Sequence, residues 1–200
     1  MKKAVAIIIS LVFQVSLFAQ ETADINALLN SSIQYEREGD YQKALEGFLT
    51  VGRYFEKHKN NSEQDRQLYV DCQKEIASCY SSLYQCTNAF MVCELLLEEK
   101  LTEEDRGAIT GLYIGNGCRI VDSCMNASEY SMAISVCEKI IPLANDTTQP
   151  VLLRGEGLLL GGMQKFHESL GCLERAYDSF HKFGMIEYEL QTLLEIGSVK

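Results

Sequence analysis

Apolar and small residues recur at helical spacing along most of the chain, in blocks separated by short polar segments. In residues 39–51, GDYQKALEGFLTV, an aromatic residue is followed three positions later by Ala44 and, after four more, by Phe48. Residues three and four positions apart share one face of an α-helix, so this spacing predicts an amphipathic helix. The same frame recurs at Cys86, Ala89, Cys93 and Leu96, at Tyr130, Ala133, Cys137 and Ile140, and at Phe166, Ser169, Leu173 and Ala176.

A second amphipathic helix is predicted before each of these four. Its apolar or small positions are Leu28, Ser32 and Tyr35, then Ile76, Ala77 and Tyr80, then Ile120, Val121 and Cys124, and finally Leu153, Gly157 and Leu160. Small residues at facing positions allow two helices to approach closely. Polar, Asn-containing segments at 58–65, 126–128 and 144–150 are typical of turns. The pattern therefore predicts a series of helix pairs.

These helix pairs resemble the tetratricopeptide repeat, in which a first helix with a Leu-Gly-like pair and a Tyr is followed by a second helix with Ala and Phe. The first copy is the best match, through Leu28, Tyr35, Gly39, Asp40, Tyr41, Ala44, Leu45 and Phe48. The resemblance implies an all-α, right-handed solenoid of antiparallel helix pairs. Its repeats are expected at about 25–60, 63–100, 103–144 and 148–183, with a partial fifth first helix at 185–200.

The first nineteen residues have a different pattern. Lys2 and Lys3 precede a mostly apolar stretch at 4–18, and the small residue Ala19 stands before Gln20. This arrangement predicts a secretory signal peptide that is cleaved after Ala19, with residues 20–200 as the helical repeat domain. The mature chain is then exported, either periplasmic or secreted, where disulfides can persist. An uncleaved membrane anchor is the alternative, although the stretch is short for a span of about 20 residues.

Charge narrows the range of partners. The chain has 18 Lys and Arg residues against 28 Asp and Glu residues, a net charge of −10. Removal of Lys2 and Lys3 with the signal peptide takes the net charge to −12. Because nucleic-acid binding requires a basic face, nucleic acid is not expected as a partner.

Four of the eight cysteines, Cys72, Cys79, Cys86 and Cys93, stand seven positions apart. With a turn near 82–85, the segment folds into a hairpin in which Cys79 faces Cys86 and Cys72 faces Cys93. Two nested disulfides are one interpretation, and they need Cα separations of about 4.4–6.8 Å. Small apolar core residues are the other, since free cysteine is often buried. A disulfide-stapled or redox-active structural protein is therefore the alternative function.

Signatures of catalysis and of metal binding are missing from the sequence. No CxxC or HExxH motif occurs, and the glycine-rich 155–162 lacks the Lys-Ser/Thr of a phosphate-binding loop. Acidic clusters such as 103–105 suit helix N-termini, where they stabilise the helix dipole. We therefore expect neither enzyme activity nor a metal or cofactor.

The resemblance implies a groove that binds a protein or peptide, lined by the first helices of successive repeats. The residues it places there are Asn26, Leu29, Ile33, Glu36, Arg37, Lys74, Ser78, Ser81, Ser82, Asp122, Met125 and Asn126. A signal peptide before such repeats also resembles the extracytoplasmic sensory region of bacterial membrane-spanning signalling proteins, which reach the membrane through a further C-terminal portion. The Leu-Gly-like pair in 194–197 starts a fifth unit, so we expect either that the array continues or that another chain covers the open face of its last helix.

Overall fold

The computed structural model describes residues 23–199, and every regular element in that range is a helix. The first helix, α1, covers residues 23–37. The others are α2 (Tyr41–His58), α3 (Glu63–Ser82), α4 (Cys86–Leu97), α5 (Glu103–Asn126), α6 (Tyr130–Ile140), α7 (Gln149–Gly162), α8 (Phe166–Lys182) and α9 (Ile186–Val199), with a short 3₁₀ turn at Ile141–Leu143. The predicted signal peptide, residues 1–19, lies outside the described residues.

The predicted all-α class and its tetratricopeptide-like helix pairs are confirmed. The pairs α1/α2, α5/α6 and α7/α8 fall in the first, third and fourth predicted repeats, α3 and α4 lie in the range of the second, and α9 takes the place of the partial fifth. The chain divides into two compact units, one up to Gln85 and one from Cys86. This division falls between α3 and α4, within the second predicted repeat rather than between repeats.

A residue in the left-handed backbone conformation ends α1, α3, α5, α7 and α8. These residues are Gly39, Tyr84, Ser128, Gln164 and Gly184, with φ between 58° and 80°. In the first turn the N–H of Gly39 donates to Glu36 O and that of Asp40 to Tyr35 O, both at 2.9 Å, and the other four turns repeat this pair of bonds. This is the Schellman motif, which satisfies the last carbonyls of a helix. Within each unit, short turns of this kind connect antiparallel neighbours.

Small residues set the spacing of the helices in the first unit. A Cβ on Gly47 of α2 would overlap Ser32 Oγ of α1, and one on Gly52 would lie 3.1 Å from Ile76 Cδ1 of α3. Helices come this close only where side chains are small. The predicted core residues Ala44 and Phe48 are completely buried.

The second unit follows the same rule. A Cβ on Gly157 of α7 would lie 2.8 Å from Leu173 Cγ of α8, and Ser169 Oγ donates to Gly157 O at 2.7 Å. Ser169 occupies the alanine position of the frame and is completely buried, like Ala89 and Ala133. The small-residue positions read from the sequence are therefore those at which the helices meet.

The cysteines act as core residues in this structure. All eight are free thiols, so neither Cys79–Cys86 nor Cys72–Cys93 forms the disulfide that the hairpin spacing allows. The S–H of Cys72 donates to Phe48 O at 3.2 Å, which means that its sulfur faces α2. Burial raises the pKa of Cys72, Cys79, Cys93 and Cys137 to about 12. Thiols of this kind remain protonated at neutral pH and are poor nucleophiles.

Candidate functional site

The N-terminal half of α5 carries three glycines that packing does not require. Apart from the adjacent residues and the backbone of α5 itself, no atom lies within 4 Å of the position that a Cβ would occupy on Gly107, Gly111 or Gly115. By contrast, a Cβ on Gly117, in the same helix, would lie 2.9 Å from Ile140 Cγ2. A glycine inside a helix costs up to about 1 kcal/mol relative to alanine. The three glycines therefore lower the stability of α5 without allowing any closer contact within the second unit.

A groove with a volume of about 590 Å³ lies over these glycines. Its walls are apolar at Ile114 and Leu143 and polar at Thr110, Asn145 and Thr148, with Cys118 also in the lining. Glu103 and Arg106 lie at the N-terminal end of α5 and bring one negative and one positive charge to the groove. The surface is thus mixed in character, with a flat glycine floor.

Local hydrogen bonds hold both sides of this groove. Thr102 caps α5 by accepting from Asp105 N at 3.1 Å, and acidic residues in the first turn favour the same end of the helix. On the opposite wall, Asn145 Oδ1 accepts from Thr147 N at 3.2 Å and from Thr148 N at 2.9 Å. Side-chain bonds of this Asx type fix the shape of a turn. The wall of residues 141–148 therefore has a defined conformation.

The groove continues the stripe of α5 on which the family resemblance places binding residues. Gly107, Gly111, Gly115, Cys118, Asp122 and Met125 follow one another at intervals of three or four, so they share one face of the helix. Asp122, Met125 and Asn126 are all exposed. Their role in binding stays a prediction, but they and the glycine floor form one continuous surface.

The other nine predicted groove residues belong to α1 and α3 of the first unit, and none of them is buried. Among them, Glu36 of α1 is hydrogen-bonded to Glu75 of α3. Partial burial, the charge of Glu75 and this hydrogen bond raise the pKa of Glu36 to about 7. Two carboxyl groups can hydrogen-bond to each other only when one of them carries a proton. We therefore expect the contact between Glu36 and Glu75 to weaken as the pH rises through the neutral range.

The lining of the α5 groove is suited to non-covalent binding rather than to covalent or metal chemistry. Burial, with a further contribution from Asp122, raises the pKa of the Cys118 thiol, which keeps it protonated. Across residues 23–199 no group of three or more His, Cys, Asp or Glu residues is placed to hold a metal ion. The helices in this range also include none that is both long and apolar enough to span a membrane.

Two features of these surfaces, the glycines of α5 and the contact of Glu36 with Glu75, were not predicted from the sequence. The glycines at 107, 111 and 115 stand at four-residue intervals inside a predicted helix, and that spacing is the signal that could have identified the groove. Glu75 gave no such signal, because its pairing with Glu36 depends on how two separate helices pack. Sequence periodicity finds a face of one helix more readily than a contact between two.

Comparison with known proteins yields structural neighbours only. No family model matches the chain, and no curated protein is significantly similar to it. Among solved structures, a MamA RS-1 double mutant is 13% identical with a TM-score of 0.44, covering 88% of this chain and 93% of its own. MamA AMB-1 is 13% identical with a TM-score of 0.42, covering 87% and 90%. A putative kinesin light chain of Podosopora anserina with TPR-like repeats is 12% identical with a TM-score of 0.41, covering 88% and 93%.

Proposed function

We propose that this protein is an exported, non-catalytic scaffold that binds an extended peptide segment of a partner in the α5 groove. The observation that carries the proposal is the glycine floor. The helix is destabilised by Gly107, Gly111 and Gly115, and no side chain packs against them. We infer that these glycines serve to keep the space above the helix open. That space lets the backbone of a ligand approach the helix closely.

The walls of the groove match a peptide better than a strongly charged ligand. Ile114 and Leu143 offer apolar contact, while Thr110, Asn145 and Thr148 offer donors and acceptors for a peptide backbone. Arg106 is the one cationic side chain in the lining, and Glu103 offsets its charge. An extended segment with an apolar anchor and a neutral backbone is the ligand that this combination favours.

Export is part of the proposal and has its support in the N-terminal sequence. Lys2, Lys3, the apolar stretch at 4–18 and Ala19 form the pattern of a cleaved signal peptide. Helical repeats behind such a signal suit the sensory portion of a larger signalling protein, in which ligand binding outside the membrane is passed to another domain. The role in signalling depends on analogy alone.

Peptide selection tests the α5 groove directly. A library of displayed random peptides is selected on residues 20–200, and individual binders are measured on three forms of the protein. In Gly111→Leu an isobutyl group fills the groove. In the matched control, Gly171→Leu, the same group is added to an exposed glycine of α8 that also has nothing within 4 Å of a Cβ position. We expect wild type and Gly171→Leu to bind equally and Gly111→Leu to bind at least about tenfold more weakly.

Two results would overturn the proposal. One is a failure to enrich any binding peptide on the wild-type protein. The other is a set of binders that Gly111→Leu retains at wild-type affinity, because binding would then occur elsewhere on the chain. Circular dichroism of the three proteins checks that the helices are intact in each.

A further inference from the structure

The helical side of the α5 groove consists of two parallel rows of residues. Gly107, Gly111 and Gly115 stand four positions apart and form the floor, which we call the glycine row. A second row with the same spacing runs beside it and is formed by Arg106, Thr110, Ile114 and Cys118. Side chains four positions apart form a ridge on the surface of a helix. The glycine row is therefore a trough that runs beside a ridge of larger side chains.

The spacing of the glycine row matches that of an extended peptide. Four residues of an α-helix advance about 6 Å along its axis, and a row of this kind is inclined to the axis by about 26°. Neighbouring glycines are therefore about 6.7 Å apart along the row. In an extended chain the side chains on one face recur every two residues, a distance of about 6.4–6.8 Å. Three successive side chains on one face of a ligand can thus lie above Gly107, Gly111 and Gly115.

The polar atoms of the lining favour an extended ligand over a helical one, in which side chains four positions apart have a similar spacing. Within residues 23–199, Thr110 Oγ1, Thr148 Oγ1 and Asn145 Nδ2 make no hydrogen bond, although all three residues line the groove. An extended peptide presents backbone N–H and C=O groups that need partners, whereas those of a helix are paired within it. These three atoms are therefore suited to an extended backbone.

The surroundings of the glycine row favour apolar side chains above it. Ile114 and Leu143 line the same groove, so an apolar side chain that enters it removes apolar surface from water. Branched apolar residues such as valine and isoleucine also favour the extended conformation. The side chains between them point away from the floor, because successive residues of an extended chain face opposite sides. The floor therefore places no restriction on the residues at those positions.

We propose that the ligand lies along the glycine row with apolar side chains at three alternate positions, each above one glycine. This inference rests on the proposed function, because it describes the ligand of the same groove. It adds a rule of specificity: within five consecutive residues of the partner, the first, third and fifth are apolar and the second and fourth are unrestricted.

A substitution scan of the selected peptides tests the alternation. Each position of a binder is replaced in turn by asparagine, and its affinity for residues 20–200 is measured by fluorescence anisotropy. We expect losses of at least about tenfold at three alternate positions and of less than about threefold at the two positions between them. Losses that recur every three or four positions would overturn the inference, because the bound ligand would then be a helix.

Paired changes in protein and peptide test the register. Gly107→Ala, Gly111→Ala and Gly115→Ala each add one methyl group to the floor, and alanine favours a helix more than glycine does, so the fold is retained. Each variant should weaken binding at least about fivefold through overpacking. Glycine at the one peptide position above the new methyl group should restore it. That position should move by two residues from each variant to the next, while Gly171→Ala, at an exposed glycine of α8, should leave binding unchanged.

Two further results would overturn the inference. One is that the same peptide position restores binding to all three alanine variants, and the other is that no position restores it to any of them. In both cases peptide would still bind in the groove, so the proposed function would stand while the register failed. If no peptide is enriched on the wild-type protein, the proposed function and this inference fail together.

Discussion

At the scale of single residues, the carboxyl of Glu36 has a pKa well above its ordinary value. Its pKa is raised to about 7 by partial burial, by the charge of Glu75 and by the hydrogen bond between the two side chains. A carboxyl group in an unfolded chain has a pKa near 4.3. Between this pH and about pH 7, the folded state therefore holds a proton that the unfolded state has released. Stability therefore falls as the pH rises from about 4.5 to about 7, and the loss persists above pH 7.

Glu36→Gln should remove this penalty. The variant should be more stable than wild type at pH 8 and nearly equal to it at pH 3.5, where the carboxyl is largely neutral in both states. Because Glu36 is partly exposed, solvent screening reduces the expected gain to about 1–2 kcal/mol. Urea unfolding followed by circular dichroism at the two pH values measures the difference.

Glu38→Gln is the matched control for this experiment. Glu38 lies on the same helix, is exposed, and accepts a hydrogen bond only from Gln34 among the contacts described for it. Its replacement should change stability by the same small amount at both pH values. A gain for Glu36→Gln that does not depend on pH would contradict the proton shared with Glu75.

At the scale of single positions, the sequence also predicted the core more reliably than the surface. Ala44, Ala89, Ala133 and Ser169 were read from one repeated frame, and all four are completely buried. Close packing can be recognised in the sequence, because each helix pair needs a small residue at the same position of the repeat. The pairing of Glu36 with Glu75 leaves no trace of this kind.

At the scale of elements, three of the helix-ending turns place a residue with a side chain in a left-handed conformation that favours glycine. Gly39 and Gly184 have the residue that a left-handed position favours, whereas Tyr84, Ser128 and Gln164 adopt the same conformation with a side chain. A left-handed conformation costs a residue with a Cβ about 1–2 kcal/mol. The fold imposes the turn at these three positions despite the sequence.

Gln164→Gly should therefore stabilise the protein. Gln164 is exposed, so the main effect of the change is to relieve the backbone strain, less the added flexibility of glycine in the unfolded chain. We expect a net gain of about 0.5–1 kcal/mol in the free energy of unfolding. The reverse change at the neighbouring turn, Gly184→Ala, should lower the free energy of unfolding by about the same amount. If both variants were stabilised, or both destabilised, backbone strain would not explain the effect of Gln164→Gly.

The helix pairs could be predicted from sequence because each one repeats a single pattern of apolar and small positions. The α5 groove could not, since it is made by the absence of side chains at Gly107, Gly111 and Gly115 and by the course of the 141–148 segment. Periodicity in apolar residues indicates where helices pack. It gives no measure of the space that a helix leaves open.

At the scale of the whole molecule, the cysteines distinguish the binding scaffold from the disulfide-stapled alternative. All eight are free thiols here, and the four with a pKa near 12 are buried. The native protein at pH 8 should leave these four unreactive toward a thiol reagent. The protein unfolded in guanidinium without reductant should react at all eight positions.

Reductant provides the control for the thiol count. The number measured in guanidinium should be the same with and without it. A lower count that rises to eight only after reduction would show that disulfides form in the protein, and would favour the stapled alternative.

The measurement that tests the central claim most directly is a hydrogen-exchange footprint of residues 20–200 with a selected peptide. The account predicts that bound peptide slows exchange in residues 103–122 of α5 and in the 141–148 segment, and that Gly111→Leu abolishes this protection at the same peptide concentration. Protection confined to other helices, with no change along α5 or at 141–148, would contradict the groove as the binding site.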